Sequence, residues 1–175
     1  GVTRFFVYEN DTGATDADGI PAHSISVVAL GGSVIDIATA IAGRKPPGIQ
    51  TYGTTSQVIF DSFGLPSTIN YFPLALVPIF FDITIKALTG FVSTTGTLLI
   101  NALVDFINAL AIGEDVFTSQ AQAAASLIDL GLGQTFYITI FKLGITASPT
   151  GTANIVIDFN KAASCQAANI ILTVT

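Results

Sequence analysis

Apolar residues recur along this chain in runs, and the spacing within each run predicts its element. Residues 3–9 (TRFFVYE) and 24–30 (SISVVAL) are rich in β-branched and aromatic side chains, which predicts two strands joined by a polar loop over 10–23. Ser33 with Asp36 reads as a capping box, and Val34, Ile37, Ala38 and Ile41 recur on one face, predicting a short amphipathic helix. That helix is expected to stop at Gly43 in a left-handed cap. Arg44 and Lys45 then sit where cations complement the helix dipole, and Pro46, Pro47 and Gly48 forbid continuation. Beyond a loop holding Tyr52 and Gly53, residues 56–61 (SQVIFD) and 67–72 (STINYF) flank a Gly-Pro turn and predict a hairpin.

A boundary is expected near residues 73–75. Val77, Ile79, Phe81, Ile83 and Ile85 then alternate with Asp82, Thr84 and Lys86, the mark of a half-buried strand over 77–86. Leu99, Ala102, Leu103, Phe106 and Leu110 fall at helical spacing over 97–112, a helix expected to begin after Gly96 and close at Gly113. Ser119 and Gln122 form a second capping box, with Ala124, Leu127 and Ile128 as the apolar face behind it. Strands are expected at 135–143, 153–159 and 169–174. The fold class that fits is α+β: a β-β-α-β-β module over 1–74, then a β-α-α-β-β-β module over 75–175. Their sheets are mixed or mainly antiparallel, with helices on one face.

Composition narrows what such a fold can do. Of 175 residues only 6 are Lys or Arg and 12 Asp or Glu, a tenth of the chain, while half is hydrophobic. A typical soluble domain carries about a quarter charged residues. The exterior is therefore expected to be largely apolar or hydroxyl-bearing, as in a subunit whose surface neighbours cover. The net charge of −6 leaves no sequence-independent grip on a phosphate backbone, so nucleic acid is not an expected partner. Two uncharged stretches invite a membrane reading, but Pro66, Pro73 and Pro78 interrupt residues 62–81, and hydroxyls with Gly90 and Gly96 interrupt 87–104. No membrane insertion is expected. A chain that starts at Gly1 and holds no methionine is expected to be a processed protein or a piece of a longer one.

Reactive residues are few. One histidine, His23, and one cysteine, Cys165, rule out a Cys/His zinc site within one chain and any disulfide framework. His23 follows Pro21 in a loop and reads as a turn residue rather than a base. Cys165 has only Lys161 nearby to lower its pKa and reads as a structural thiol. Paired carboxylates could serve a glycosidase, and Asp61, Asp82, Asp105, Glu114, Asp115, Asp129 and Asp158 are available, but most fall at turns, strand ends or polar helix faces. Asp11, Asp16 and Asp18, with Glu9, Asn10 and Gly19, offer calcium-like oxygen ligands. The bidentate glutamate of an EF-hand is missing, so a solvated turn is preferred. Gly31 and Gly32 read as a tight strand-to-helix turn rather than a phosphate loop. No catalytic residue, metal or cofactor is expected.

The order of these motifs carries a resemblance. Gly19-Ile20-Pro21-Ala22-His23-Ser24 precedes a β-run, Gly31-Gly32 and the helix ending at Ala40-Ile41. Lys45-Pro46-Pro47-Gly48-Ile49-Gln50-Thr51-Tyr52-Gly53, Asp61-Ser62-Phe63-Gly64 and Tyr71-Phe72-Pro73 follow, and Leu110-Ala111-Ile112-Gly113-Glu114-Asp115-Val116 lies further on. This succession resembles the baseplate J-like proteins of contractile phage tails over nearly the whole chain, most specifically through Lys-Pro-Pro-Gly-Ile and Tyr-Gly. The family usually has an arginine before the proline matched by Pro73, where this chain has Phe72.

The resemblance implies the central and carboxyl-terminal part of a structural baseplate wedge subunit, without enzymatic activity. Such a subunit assembles with copies of itself and neighbouring wedge proteins into the ring around the tail tube, in the virion tail baseplate built in the bacterial host cytoplasm. The expected contact residues are the stiff loop Lys45, Pro46, Pro47 and Gly48, with Tyr52 and Gly53, and on the second module Phe80, Phe81, Tyr137 and Phe141. The alternative is a tail-associated glycan-binding or cell-wall-degrading module, against which the absence of Trp counts weakly.

Overall fold

A computed structural model describes residues 1–175, the side chain of Asp129 excepted. The fold is α+β, with three helices and ten strands in mixed sheets. The chain divides into two compact units, Gly1–Ala75 and Leu76–Thr175.

In the first unit β2 (Ser24–Gly31) holds the centre of the sheet. One edge of β2 pairs antiparallel with β1 (Val2–Asn10). Its other edge is shared by two parallel partners, β3 (Gln50–Tyr52) against Ser24–Ser26 and β5 (Pro66–Pro73) against Val28 and Ala29. β4 (Thr55–Phe60) closes the sheet as the antiparallel partner of β5. The turn between β4 and β5 is built by Asp61, whose Oδ1 accepts from the N–H groups of Phe63 and Leu65, both at 2.9 Å, while Gly64 takes φ +77°.

Helix α1 (Val34–Ala42) starts as its capping residue dictates, with the Ser33 hydroxyl accepting from the Asp36 N–H at 3.2 Å. Its buried Ile37, Ala38 and Ile41 pack with Val27, Ala29, Ile69 and Tyr71. Val34, expected on that face, is exposed.

Two expectations for this unit are corrected. The stretch after the proline loop is not all loop: Gln50–Tyr52 is strand β3, which three residues of parallel pairing create and no local pattern announces. Gly43 is right-handed, with φ −74°. The chain keeps winding there, the Arg44 and Lys45 N–H groups both donating to the Ile41 carbonyl, and the left-handed residue is Gly48 at φ +82°. Gly53 links β3 to β4 because its Cα lies against the backbone of Tyr71; a Cβ there would overlap Tyr71 main-chain atoms.

In the second unit β7 (Phe80–Ala87) is central, parallel to β10 (Ile170–Val174) and antiparallel to β8 (Phe136–Gly144), with a bulge at Thr84/Ile85. The long strand expected over 77–86 is broken. β6 (Ala75–Pro78) pairs instead with β9 (Lys161–Ser164), and Ile79 sits in the break with its N–H donating to Ser164 at 2.8 Å. The alternation is real on the buried side: Ile79, Phe81, Ile83 and Ile85 are all fully enclosed.

Helix α2 (Ser93–Ala109) lays Leu99, Leu103 and Ile107 into the same core. It starts before Gly96 and stops before Gly113. Gly96 is an interior contact, where a Cβ would sit 3.2 Å from Leu172 of β10, and the chain leaves the helix at Leu110, which is buried and extended.

α3 (Thr118–Ala125) also starts early, two residues before the expected cap at Ser119 would allow. Its first N–H is accepted by Asn154 at 3.0 Å, so the cap comes from a distant segment and Ser119 lies inside the helix. The buried face is Ala121, Ala125 and Leu127, with Ile128 exposed. Residues 153–159 make one antiparallel bridge, Ile155 to Val116, and not the strand expected there; the next strand is β9, at Lys161–Ser164, where none was expected. The module orders therefore become β-β-α-β-β-β and β-β-α-α-β-β-β. Among the described residues no helix is long and apolar enough to cross a membrane.

Replacing Gly53 with Ala is expected to cost at least about 2 kcal/mol, read as a lower urea midpoint at unchanged slope, because the clash is with backbone and cannot relax by a rotamer change. Ser26 is fully buried and its hydroxyl finds no partner among the described residues. Ser26→Ala should therefore leave stability unchanged or raise it by up to about 1 kcal/mol, by the same measurement.

Candidate functional site

The first unit carries an open groove of about 570 Å³ between α1 and the uncovered part of its sheet. Phe5 and Val7 of β1, Ile25 and Val27 of β2, and Ile37 and Ile41 of α1 line it, and Glu9, Arg44 and Lys45 bring charge to it. Phe5, Val7 and Glu9 face β2 residues Ala29, Val27 and Ile25 across the ladder, which places all six on one side of the sheet. The bulge between Val2 and Arg4 turns Val2 onto that side as well.

The loop read in the sequence as a docking element lies at this groove. Lys45, Pro46 and Ile49 line it, while Lys45 and Pro47 also line a second depression of about 440 Å³ with Thr39, Phe60 and Asp61. The loop is thus a ridge between two hollows. It is stiffened internally, since the Lys45 Nζ donates to the Ile49 carbonyl at 3.1 Å and the two prolines fix their own φ. Tyr52 and Gly53 have a different role. The Tyr52 ring meets Phe72 edge-on at 5.6 Å, and Gly53 lies against Tyr71, so the Tyr-Gly pair packs the sheet. Phe72 is buried, an interior aromatic of this sheet.

On the second unit the expected contact residues separate. Phe81 is fully buried, its ring tilted 56° against that of Phe141 with centroids 5.7 Å apart; it belongs to the core and cannot meet a partner, which corrects the expectation for it. The cause is parity. Phe80 and Phe81 are neighbours on β7 and point to opposite faces, and only one face is open. Phe80 and Phe141 are half-buried, whereas Tyr137 is 47% exposed on β8 near the exposed Ile140.

Most of the candidates for chemistry are engaged in holding the fold. Buried Asn10 organises the acidic loop. Its Nδ2 donates to the carbonyls of Ala14 and Ile20 at 2.8 and 2.7 Å, and its Oδ1 accepts from Thr12. Asp16 holds the same loop by accepting from the N–H groups of Asp18 and Ile20 at 3.0 and 2.8 Å. Asp11 is exposed, and among the described residues no three carboxylate, imidazole or thiol groups converge on a point. Asp18 acts at a distance. The Tyr8 hydroxyl titrates higher than usual because of burial first and the Asp18 charge second. His23 is an exposed turn residue at φ +53°.

Of the carboxylates, Asp82 pairs with Lys142 across the β7–β8 ladder at 3.6 Å, and Asp158 pairs with Lys161 at 2.7 Å. Asp115 accepts from the Ile157 N–H at 2.8 Å, and Glu114 accepts from that of Ala111 at 2.6 Å. Asp105 is exposed on α2, and the Asp129 side chain lies outside the described residues.

Cys165 is buried, and the Asn108 carboxamide clamps its peptide group, Oδ1 accepting from the Cys165 N–H at 3.0 Å and Nδ2 donating to its carbonyl at 2.9 Å. Burial pushes the thiol up to about 11 from an ordinary 9.0, which keeps it protonated and unreactive at neutral pH.

The groove itself was not foreseen in the sequence, although β1 carried a signal for it. Phe5, Phe6 and Val7 are consecutive, so no face of that strand is polar throughout. No family model matches the chain, and no curated protein matches it.

The thiol sets a pH dependence whose sign follows from its shift. Folded Cys165 keeps its proton to about 11 and the unfolded chain releases it near 9.0, so the contribution is whole below pH 9 and disappears as the pH rises to 11. Urea unfolding free energy should fall more steeply over that interval in the native chain than in Cys165→Ala.

Proposed function

We propose that the chain is part of a structural subunit of a contractile tail baseplate, of baseplate J-like type, which joins copies of itself and neighbouring wedge proteins in the ring around the tail tube. The observation that carries this reading is the rigid Lys45-Pro46-Pro47-Gly48 ridge, standing between two hollows and beside an apolar groove with no side chain of its own to fill it. A preformed ridge loses little entropy on docking, and exposed apolar surface gains by being covered. The motif order that resembles the family supports the same reading. So does the engagement of most candidate acids in turns, ladders and ion pairs, which leaves them as structural groups. The subunit would act without turnover, in the virion tail baseplate assembled in the bacterial host cytoplasm.

The test is assembly. Pro46→Gly with Pro47→Gly loosens the ridge and is expected to cost only about 1–2 kcal/mol of fold stability, chiefly through the unfolded chain. Tyr137→Ser removes an exposed aromatic from β8. Introduced into the tail operon, each should lower the yield of assembled baseplates by about tenfold, as a lost interface hot spot does, with the thermal midpoint of the purified chain shifted only a few degrees. Wild-type assembly by both variants overturns the reading. Release of sugar from peptidoglycan by the purified chain, or tight glycan binding, would favour a wall-directed module instead.

A further inference from the structure

The strand β1 is the free edge of the first unit's sheet, and the usual devices that blunt such an edge are missing from its middle. Phe5, Phe6 and Val7 are 68%, 45% and 48% exposed, with no proline or lysine among the nine residues of the strand. A long edge of this kind presents a row of backbone donors and acceptors to another strand. The opposite edge, β4, is shorter at six residues, and α1 packs on one of its faces.

We propose that two copies of the chain pair antiparallel through β1, across a two-fold axis at Phe6. The inference rests on the assembly reading above and names the surface by which a second copy is met. The axis is argued from side-chain pairing. A two-fold perpendicular to the sheet keeps each side chain on its own face, so opposed residues must have numbers that add to an even total. With Phe6 on the axis, Phe6 meets its symmetry mate, Phe5 meets Val7, and Arg4 meets Tyr8, whose ring face attracts a guanidinium. Glu9 then lies opposite the bulged end of the strand at Thr3, and no like charges oppose. Moving the axis to Val7 would set Phe5 against the Glu9 carboxylate; moving it to Phe5 would set Arg4 against Phe6 and Val7 against Thr3. The Phe6 register also brings the Phe5 and Val7 sides of both grooves together on one face of a continuous sheet.

Size sets the strength. Nine residues at about 3.4 Å each give an edge roughly 30 Å long, and a contact this narrow falls below the roughly 1,200 Å² of stable complexes. The pairing is therefore reversible and weak in isolation, and becomes sufficient in a ring where tethering raises the local concentration to about the millimolar range.

Sedimentation of the 175-residue chain from about 10 μM to about 1 mM should show a reversible monomer–dimer equilibrium that stops at the dimer, since the pair consumes the edge. Phe6→Lys sets two ammonium groups face to face and should raise the dissociation constant by about tenfold or more with the circular dichroism and thermal midpoint retained. Phe6→Cys in a Cys165→Ala background should give a disulfide-linked dimer under an added oxidant, whereas Phe63→Cys at the hairpin tip in the same background should not. A dimer unaffected by Phe6→Lys, or one that Phe6→Cys does not link, overturns the β1 interface and leaves the assembly reading standing. Monomer at about 1 mM, or growth past the dimer, also overturns it. In the monomer case contacts with neighbouring wedge proteins remain for the assembly experiment to decide.

Discussion

The first unit is governed by a shortage of cover. One helix of nine residues, about 14 Å long and about 10 Å across, faces a sheet whose strands stand about 4.8 Å apart. A helix of that width can shield about two strands. α1 settles over β4, β5 and the nearer side of β2, where Ile37, Ala38 and Ile41 find Ile69, Tyr71 and Val27. β1 is left with one long side uncovered, and its apolar residues, lacking a partner from the chain, become the wall of a groove. The exposed aromatics of β1 and the position of the proline ridge both follow from where the helix had to go.

The second unit meets the same demand with more material. α2 supplies Leu99, Leu103 and Ile107 at successive turns, and α3 adds Ala121 and Ala125, small enough to let its axis approach. Together they cover the side of β7 that carries Phe81, Ile83 and Ile85. What remains exposed is the reverse face and the edges, where Tyr137, Ile140 and Ile171 lie. Sparse charge thus has different consequences in the two units: an unfilled groove in one, and a well-enclosed core with a scattered apolar exterior in the other.

Polar side chains in this molecule mostly hold backbone. Asn10 and Asp16 shape the loop between β1 and β2, Asp61 the hairpin turn, Asn108 the approach to β10 through Cys165, and Asp115 the segment that runs into β9. Each of these hydrogen bonds gives a turn or loop N–H or C=O a partner, which fixes the backbone there. The same residues that look like chemistry in a one-dimensional reading are the means by which long loops are ordered with few charges.

Local pattern alone determined much of the molecule: the strands β1 and β2, the capped helix α1, the β4–β5 hairpin, the buried alternation of β7 and the apolar face of α2 were legible because neighbours in sequence specify periodicity, caps and turns. The α+β class followed from their order. Tertiary structure alone decided that Gln50–Tyr52 is a strand, that β9 forms at Lys161–Ser164 while residues 153–159 make a single bridge, and that Asn154 caps α3. It also decided that Phe81 is interior while Tyr137 is not, and that the proline ridge overlooks a groove. Each of these depends on a contact between segments distant in the chain, and such contacts are fixed by which surfaces remain uncovered once the local elements have packed.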